Sequence, residues 1–197
     1  MSAAAALDVY RLELSTKARN GVHFLAAATV VWLLIAGIWA LPYSPTLKGL
    51  ATFCAGCLVL PLAYLFGRLL GATWTVAGNP LQPLGLWLNF AQLFYFPVLI
   101  FMYMRAPQHF VMTYGIITGA HLFPFAWLYR TTAYAGAAGL IAAGCLVLEL
   151  TAAPARPYLI PLFVALSLTG LVGLAYAAYR RNAARYRQAP APATLAA

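Results

Sequence analysis

The sequence predicts an all-α, polytopic membrane protein, a bundle of six transmembrane helices with both termini in the cytoplasm. Three observations predict it. Of the 197 residues, 64% are hydrophobic and 8% charged, and mean hydropathy is +0.83, whereas a soluble domain carries roughly 25% charged residues. Apolar runs of about 20 residues, the length that crosses a bilayer as a helix, recur along the chain. The basic residues gather at alternate ends of those runs, which is how cytoplasmic anchors distribute.

Residues 1–21 form a cytoplasmic amino-terminal segment. Leu7, Tyr10 and Leu14 recur at helical spacing, with Asp8 near Arg11 and Glu13 four residues before Lys17. This pattern fits a short amphipathic helix on the membrane surface, or else a disordered tail. A cleaved signal is not expected, because the segment holds two acids and the next apolar run exceeds the roughly 7–15 residues of a signal core.

Residues 22–179 make up the transmembrane domain. The first span runs near Val22 to Leu41, closed by Leu41-Pro42-Tyr43-Ser44-Pro45. The second, Leu47 to Leu70, is separated from the third, Leu84 to Met104, by Gly78-Asn79-Pro80 and Pro83. Ala106-Pro107 precedes the fourth, His109 to Tyr129; the fifth is Thr132 to Thr151; Pro154 and Pro157 flank Arg156 before the sixth, Tyr158 to Tyr179. Pro61, Pro97, Pro124 and Pro161 lie within spans and are expected to kink them. Residues 180–197 form a basic, then Pro- and Ala-rich cytoplasmic tail, disordered from Gln188.

With the amino terminus inside, the cytoplasmic face collects Arg11, Lys17, Arg19, Arg68, Arg130, Arg180, Arg181, Arg185 and Arg187, and the outer face only Lys48, Arg105 and Arg156. The net charge of +9 is thereby an orientation signal rather than a nucleic-acid footprint, and no nucleic-acid partner is expected. The partners expected are the lipid bilayer, a small-molecule solute and, in an oligomer, further copies of the chain. Pro61 to Arg68 and Pro124 to Arg130 look alike, either as tandem hairpins or because aromatic belts and inside arginines produce such helix ends without a repeat.

Polar side chains within spans are costly, so they are the first place to look for function. Asn89 and Gln92 share a face of the third span, with Tyr95 nearby; Tyr114, Thr118 and His121 follow i, i+4, i+7 in the fourth. Such stripes either enclose a small hydrated pocket or join helices by hydrogen bonds. Glu149, the only acid in the spans, is near the outer end of the fifth, facing interfacial water or serving a relay, with Arg156 as a partner. These six (Asn89, Gln92, Tyr114, Thr118, His121 and Glu149) are the candidate ligand or pathway residues. His23 and His109, at span ends, read as interfacial rings without a role.

Cys54-Ala55-Gly56-Cys57 is a C-x-x-C that Cys145 could join, but with no Cys–His pair at ligand spacing the thiols read as small packing residues. Gly136, Gly139, Ala143 and Gly144 supply close helix contact in the fifth span. No H-E-x-x-H, G-x-S-x-G or P-loop occurs, so no catalytic residue, metal or cofactor is assigned, and the balance leans away from an enzyme.

Asn79-Pro80-Leu81 through Asn89, Gln92 and Tyr95, and Gly119-Ala120-His121-Leu122-Phe123-Pro124-Phe125-Ala126-Trp127-Leu128-Tyr129, resemble an uncharacterised family of small bacterial membrane proteins, a domain of unknown function. The resemblance covers the first to fifth spans. It implies a multi-pass protein of the bacterial inner membrane and brings no activity with it. The residues themselves point to a small-solute permease or channel-like protein. The alternatives are an accessory membrane protein without transport and an intramembrane enzyme using His121 as base on a lipid or prenyl substrate.

Overall fold

The computed structural model describes residues 2–153 and 155–188. Gln188, where disorder is expected to begin, is instead the last residue of the carboxyl-terminal helix; the rest of that expectation falls on 189–197, which with Pro154 lie outside the described residues. Nine α-helices are described: α1 (Ala3–Lys17), α2 (Val22–Ala40), α3 (Pro45–Gly56), α4 (Val59–Leu70), α5 (Gln82–Ala91), α6 (Phe96–Arg105), α7 (Phe110–Leu128), α8 (Ala133–Thr151) and α9 (Leu159–Gln188). There is no strand among the described residues. The chain forms six helical spans long and apolar enough to cross a membrane, Arg19–Ala40, Pro45–Leu70, Gln82–Arg105, Pro107–Leu128, Ala133–Thr151 and Leu159–Gln188.

Two spans are broken where a proline withholds a hydrogen bond. Pro61 cannot donate to Cys57, four residues back, and the chain turns there through tight bonds from Cys57 N to Cys54 O and Leu58 N to Ala55 O, separating α3 from α4. Pro97 likewise cannot donate to Leu93, and a 3-10 turn over Gln92–Tyr95 separates α5 from α6. Pro124 is accommodated within α7, which runs unbroken over Phe110–Leu128. Pro161 does not kink α9: it lies in the first turn, where no donor is required.

The long carboxyl-terminal helix α9 is the axle of the bundle. Ile160, Val164, Leu168, Leu171, Ala175 and Ala178 are buried at intervals of three and four, one continuous face. Against it pack α2, α8 and the amino-terminal α1. The tightest crossing joins α7 to α8. At Gly119 a Cβ would stand 2.9 Å from Ile141 Cγ2, and at Gly115 one would stand 2.6 Å from Cys145 Sγ, so glycine lets the two helices approach as small residues do in membrane interfaces. In α8 itself Gly144 faces Phe163, whereas Gly136 and Gly139 face open space and contribute no close contact.

The amino-terminal segment is a docked helix. Val9, Leu12 and Leu14 of α1 are buried, and Arg11 donates to the Trp127 carbonyl at the end of α7 while its guanidinium lies 4.4 Å from the Trp127 ring centroid. Burial lowers the Arg11 pKa, with neighbouring Arg130 adding to the effect. Asp8 pairs with Arg130 at 2.9 Å and Glu13 with Lys17 at 2.7 Å. The chain then passes into α2 through Arg19, Asn20 and Gly21, all at positive φ. Asparagine tolerates that conformation better than most side chains.

Asn20, fully buried, turns that connection into a junction. It accepts from Ser15 Oγ at 2.6 Å and donates to the Ala175 carbonyl at 3.0 Å. Asn182 of α9 donates to Ser15 Oγ and to the Tyr129 carbonyl, both at 2.9 Å, while the Tyr134 hydroxyl donates to the Asn20 carbonyl at 2.5 Å. Hydrogen bonds thus tie α1, α8, α9 and the α7–α8 turn together at one end of the bundle.

The third span is the outlier. In its most apolar window only 6% of residues are buried, against 44% for the first. It rests chiefly against α7, and α4 and α5, although consecutive, do not form a packed pair.

Candidate functional site

Among α2, α4, α5 and α7 lies a cavity of about 250 Å³. One wall comes from α2 and α4 with His23, Phe24, Leu25 and Val59; the other comes from α5 and α7 with Asn89, His121 and Phe125, and Gln92 adjoins α5. Gln82 lies at the α1 end of α5, and Gln92 is ten residues further on. At about 1.5 Å per helical residue the lining reaches roughly 15 Å into the bundle, about half of a hydrocarbon core.

The segment between α4 and α5 roofs the α1 end. Thr73 N donates to the Lys17 carbonyl at 2.9 Å, Val76 N to Gln82 Oε1 at 3.0 Å and Gln82 Nε2 to the Trp74 carbonyl at 3.2 Å. Asn79, buried, donates to the Tyr10 carbonyl at 2.9 Å and to Glu13 Oε2 at 2.8 Å, and its Oδ1 accepts from Leu81 N. The Trp74 ring, held over the lining, lies 5.6 Å from His23, 5.1 Å from Phe24 and 6.0 Å from Tyr64. Gly67 makes room for it, since a Cβ there would stand 2.7 Å from Trp74 Nε1.

Asn89, Gln92 and His121, from two spans, therefore line one cavity. Asn89 is exposed, its Nδ2 donating to Gly85 O of its own helix at 2.9 Å, and His121 packs edge-on to Phe125 at 5.3 Å. Tyr114 and Thr118, higher on α7, do not line it; Tyr114 packs 5.1 Å from Trp32. Glu149 lies at the far end of the bundle. Its partner is His109 at 2.5 Å rather than Arg156, because antiparallel α7 and α8 bring the start of one beside the end of the other.

His23 is the lining residue that sequence reasoning passed over. It is 2% exposed, and neither ring nitrogen has a hydrogen-bond partner among the described residues. Its place one turn into a span is that of an ordinary interfacial ring. Only the fold of the Gly71–Leu81 segment closes it in.

A family model described as a family of unknown function, DUF7010, matches residues 7–178. The chain belongs to that family. No curated protein and no solved structure matches it. The DUF7010 match takes in α1 through most of α9 and every cavity-lining residue. The chain is thus an integral membrane protein of a family without an assigned activity. The described lining contains no Asp, Glu, Lys, Arg or Cys, and the described residues contain no cluster of three or more His, Cys, Asp or Glu side chains able to hold a metal. Cys54 and Cys57 are exposed while Cys145 is buried against α7, so the three thiols are not one site.

Proposed function

We propose that the protein is a small-solute permease or channel-like protein of the bacterial inner membrane, with both termini in the cytoplasm and Asn89, Gln92 and His121 as its intramembrane site. The observation that carries this reading is the convergence of those three side chains from two spans on one cavity. Residues that merely joined helices would be packed against one another. No carboxylate lines the cavity to pair with His121, which weighs against acid–base catalysis on a lipid substrate. Orientation is supported by the basic α1 end of the bundle, where Arg11, Lys17, Arg19 and Arg130 cluster around the docked helix.

The test is uptake across a panel of small solutes in proteoliposomes, comparing the natural chain with His121→Ala and Asn89→Ala. Uptake above empty vesicles that both substitutions reduce supports the proposal. Uptake equal to empty vesicles across the panel refutes it. Terminal fluorescent or phosphatase fusions test orientation separately, and an active phosphatase at either end would overturn it.

A further inference from the structure

We infer that His23 is a ligand-binding residue of the cavity, and that the ligand is an uncharged amphiphile whose polar end carries a hydroxyl-type group able both to donate and to accept a hydrogen bond. The inference deepens the proposed intramembrane site; it rests on that reading for the cavity and not for translocation.

The first support is the state of the imidazole. Buried polar groups in folded proteins nearly all have partners, because an unmet donor or acceptor loses its bonds to water without replacement. His23 is 2% exposed with both ring nitrogens unmet, and it lines the cavity. A neutral imidazole offers one donor and one acceptor. The two nitrogens point to opposite sides of the ring, so one ligand group meets one of them; a hydroxyl can meet either, accepting from the N–H or donating to the bare nitrogen, whereas an ether only accepts and a tertiary ammonium only donates.

The second support is charge. The lining holds no fixed charge of either sign. A carboxylate, phosphate or ammonium placed there would lose its hydration without finding an opposite charge to offset the loss. The polar side-chain groups that are present, imidazole, amide, hydroxyl and indole N–H, are uncharged or, for the imidazoles of His23 and His121, able to be so.

The third support is shape and access. Leu25, Leu86, Leu122 and Phe125 lie among the polar residues of the lining, so most of a bound molecule meets hydrocarbon. Leu86, Asn89 and Gln92 of the lining belong to the third span, whose apolar window is 6% buried. A molecule already dissolved in the bilayer meets that loosely packed wall directly. Apolar chain and hydroxyl end together describe a long-chain alcohol or a lipid with an uncharged, hydroxyl-bearing head.

The test uses the full chain in phosphatidylcholine nanodiscs, photolabelled with a diazirine analogue of 1-decanol and read by peptide mass spectrometry. Unlabelled 1-decanol, decane, decanoate, decylammonium and glycerol serve as competitors. Labelling is expected on peptides containing His23, Trp74 or His121, suppressed by decanol about fivefold more effectively than by decane, the worth of one neutral hydrogen bond. The ions and glycerol are expected to compete no better than decane. His23→Leu should leave thermal stability unchanged or raised, since it removes an unmet buried polar group, while abolishing the advantage of decanol over decane; His23→Asn should retain part of it. Should the leucine variant fail to fold, the asparagine variant and His121→Leu carry the comparison. Equal competition by decane, stronger competition by an ion or by glycerol, or an unchanged decanol preference in the His23 variants would overturn the inference. Decanol binding without solute uptake would leave it standing and sink the permease reading alone.

Discussion

Replacing Gly119 with alanine tests whether the α7–α8 crossing holds the cavity wall in place. The added methyl would stand 2.9 and 3.0 Å from Ile141 and 3.1 Å from the Ala142 amide nitrogen, where carbon contacts are comfortable near 3.5–4.0 Å. Relief by rotation is closed on both sides. Ile141 is fully buried and β-branched, with essentially one helical rotamer, and the amide is backbone. The helices must therefore separate by about half an ångström or more, an overpacking cost of about 1–3 kcal/mol. Alanine also favours the helix over glycine by about 1 kcal/mol, so the single variant alone is ambiguous. Gly139→Ala removes the ambiguity. With nothing within 4 Å of its added methyl, it keeps the propensity gain and has no clash. The difference between the two variants, measured by steric-trap unfolding in bicelles, is expected to be about 1–3 kcal/mol in favour of Gly139→Ala. Equal stabilities within about 0.5 kcal/mol, near the scatter of surface substitutions, would refute the close crossing.

Three further outcomes follow from the polar contacts. Asn20→Ala and Asn182→Ala each leave buried partners unmet and are expected to lower stability by about 1–3 kcal/mol. Because they share Ser15, the double variant should lose about 0.5 kcal/mol or more less than the sum; strict additivity in the same unfolding assay would argue against a connected network. His109→Ala, which deprives a largely buried Glu149 of its partner, is expected to cost about 1 kcal/mol, discounted because the His109 side chain is 44% exposed, and Glu149→Gln in the same background should recover part of the thermal stability. The hydrogen bond to Glu13 raises the Lys17 pKa above its ordinary 10.5. As an i,i+4 pair within α1, its contribution to that helix is thus fully present below about pH 10.5 and lost as pH rises through the higher folded value. Amide exchange in α1 is expected to stay flat from pH 7 to 9, once corrected for intrinsic rates, and to accelerate only above that window; loosening below pH 9 would contradict the assignment.

The spans were legible in the sequence because each rests on one local quantity, apolar length, with prolines and glycines to punctuate it. What depends on two distant segments was not legible. Asn89 and His121 could be singled out by their cost in a membrane, but nothing local distinguishes Asn89, beside the cavity, from Thr118, outside it; α5 crosses α7 only near the His121 end. His23 has the sequence setting of an interfacial ring, and its enclosure is created by Trp74, about fifty residues away in sequence. Glycine patterning misled in α8 for a related reason. A small residue allows close approach only where a partner arrives, and the partners arrive at Gly144 and, from α7, at Gly115 and Gly119, while Gly136 and Gly139 have none. Even the prolines differ by register: Pro61 and Pro97 break their helices, and Pro161 falls within the first turn.

The bundle is unevenly secured, and the unevenness coincides with the cavity. On one side α2, α7, α8, α9 and α1 are tied through buried apolar faces and through Asn20 and Asn182. On the other, α5 and α6 show much of their surface to the surroundings, with Trp87, Phe94 and Phe101 each more than 60% exposed, and a 3-10 turn interrupts them at Gln92–Tyr95. The segments that open at least free-energy cost are those with few buried apolar contacts. In this fold such a segment forms one wall of the cavity and carries Asn89 and Gln92, while His23 and His121 lie on better-secured helices. Displacing α5 would therefore open that wall without disturbing the hydrogen-bonded junction at the α1 end. A histidine left unmet is tolerated in such an arrangement because the rest of the bundle, rather than the site, holds the fold together.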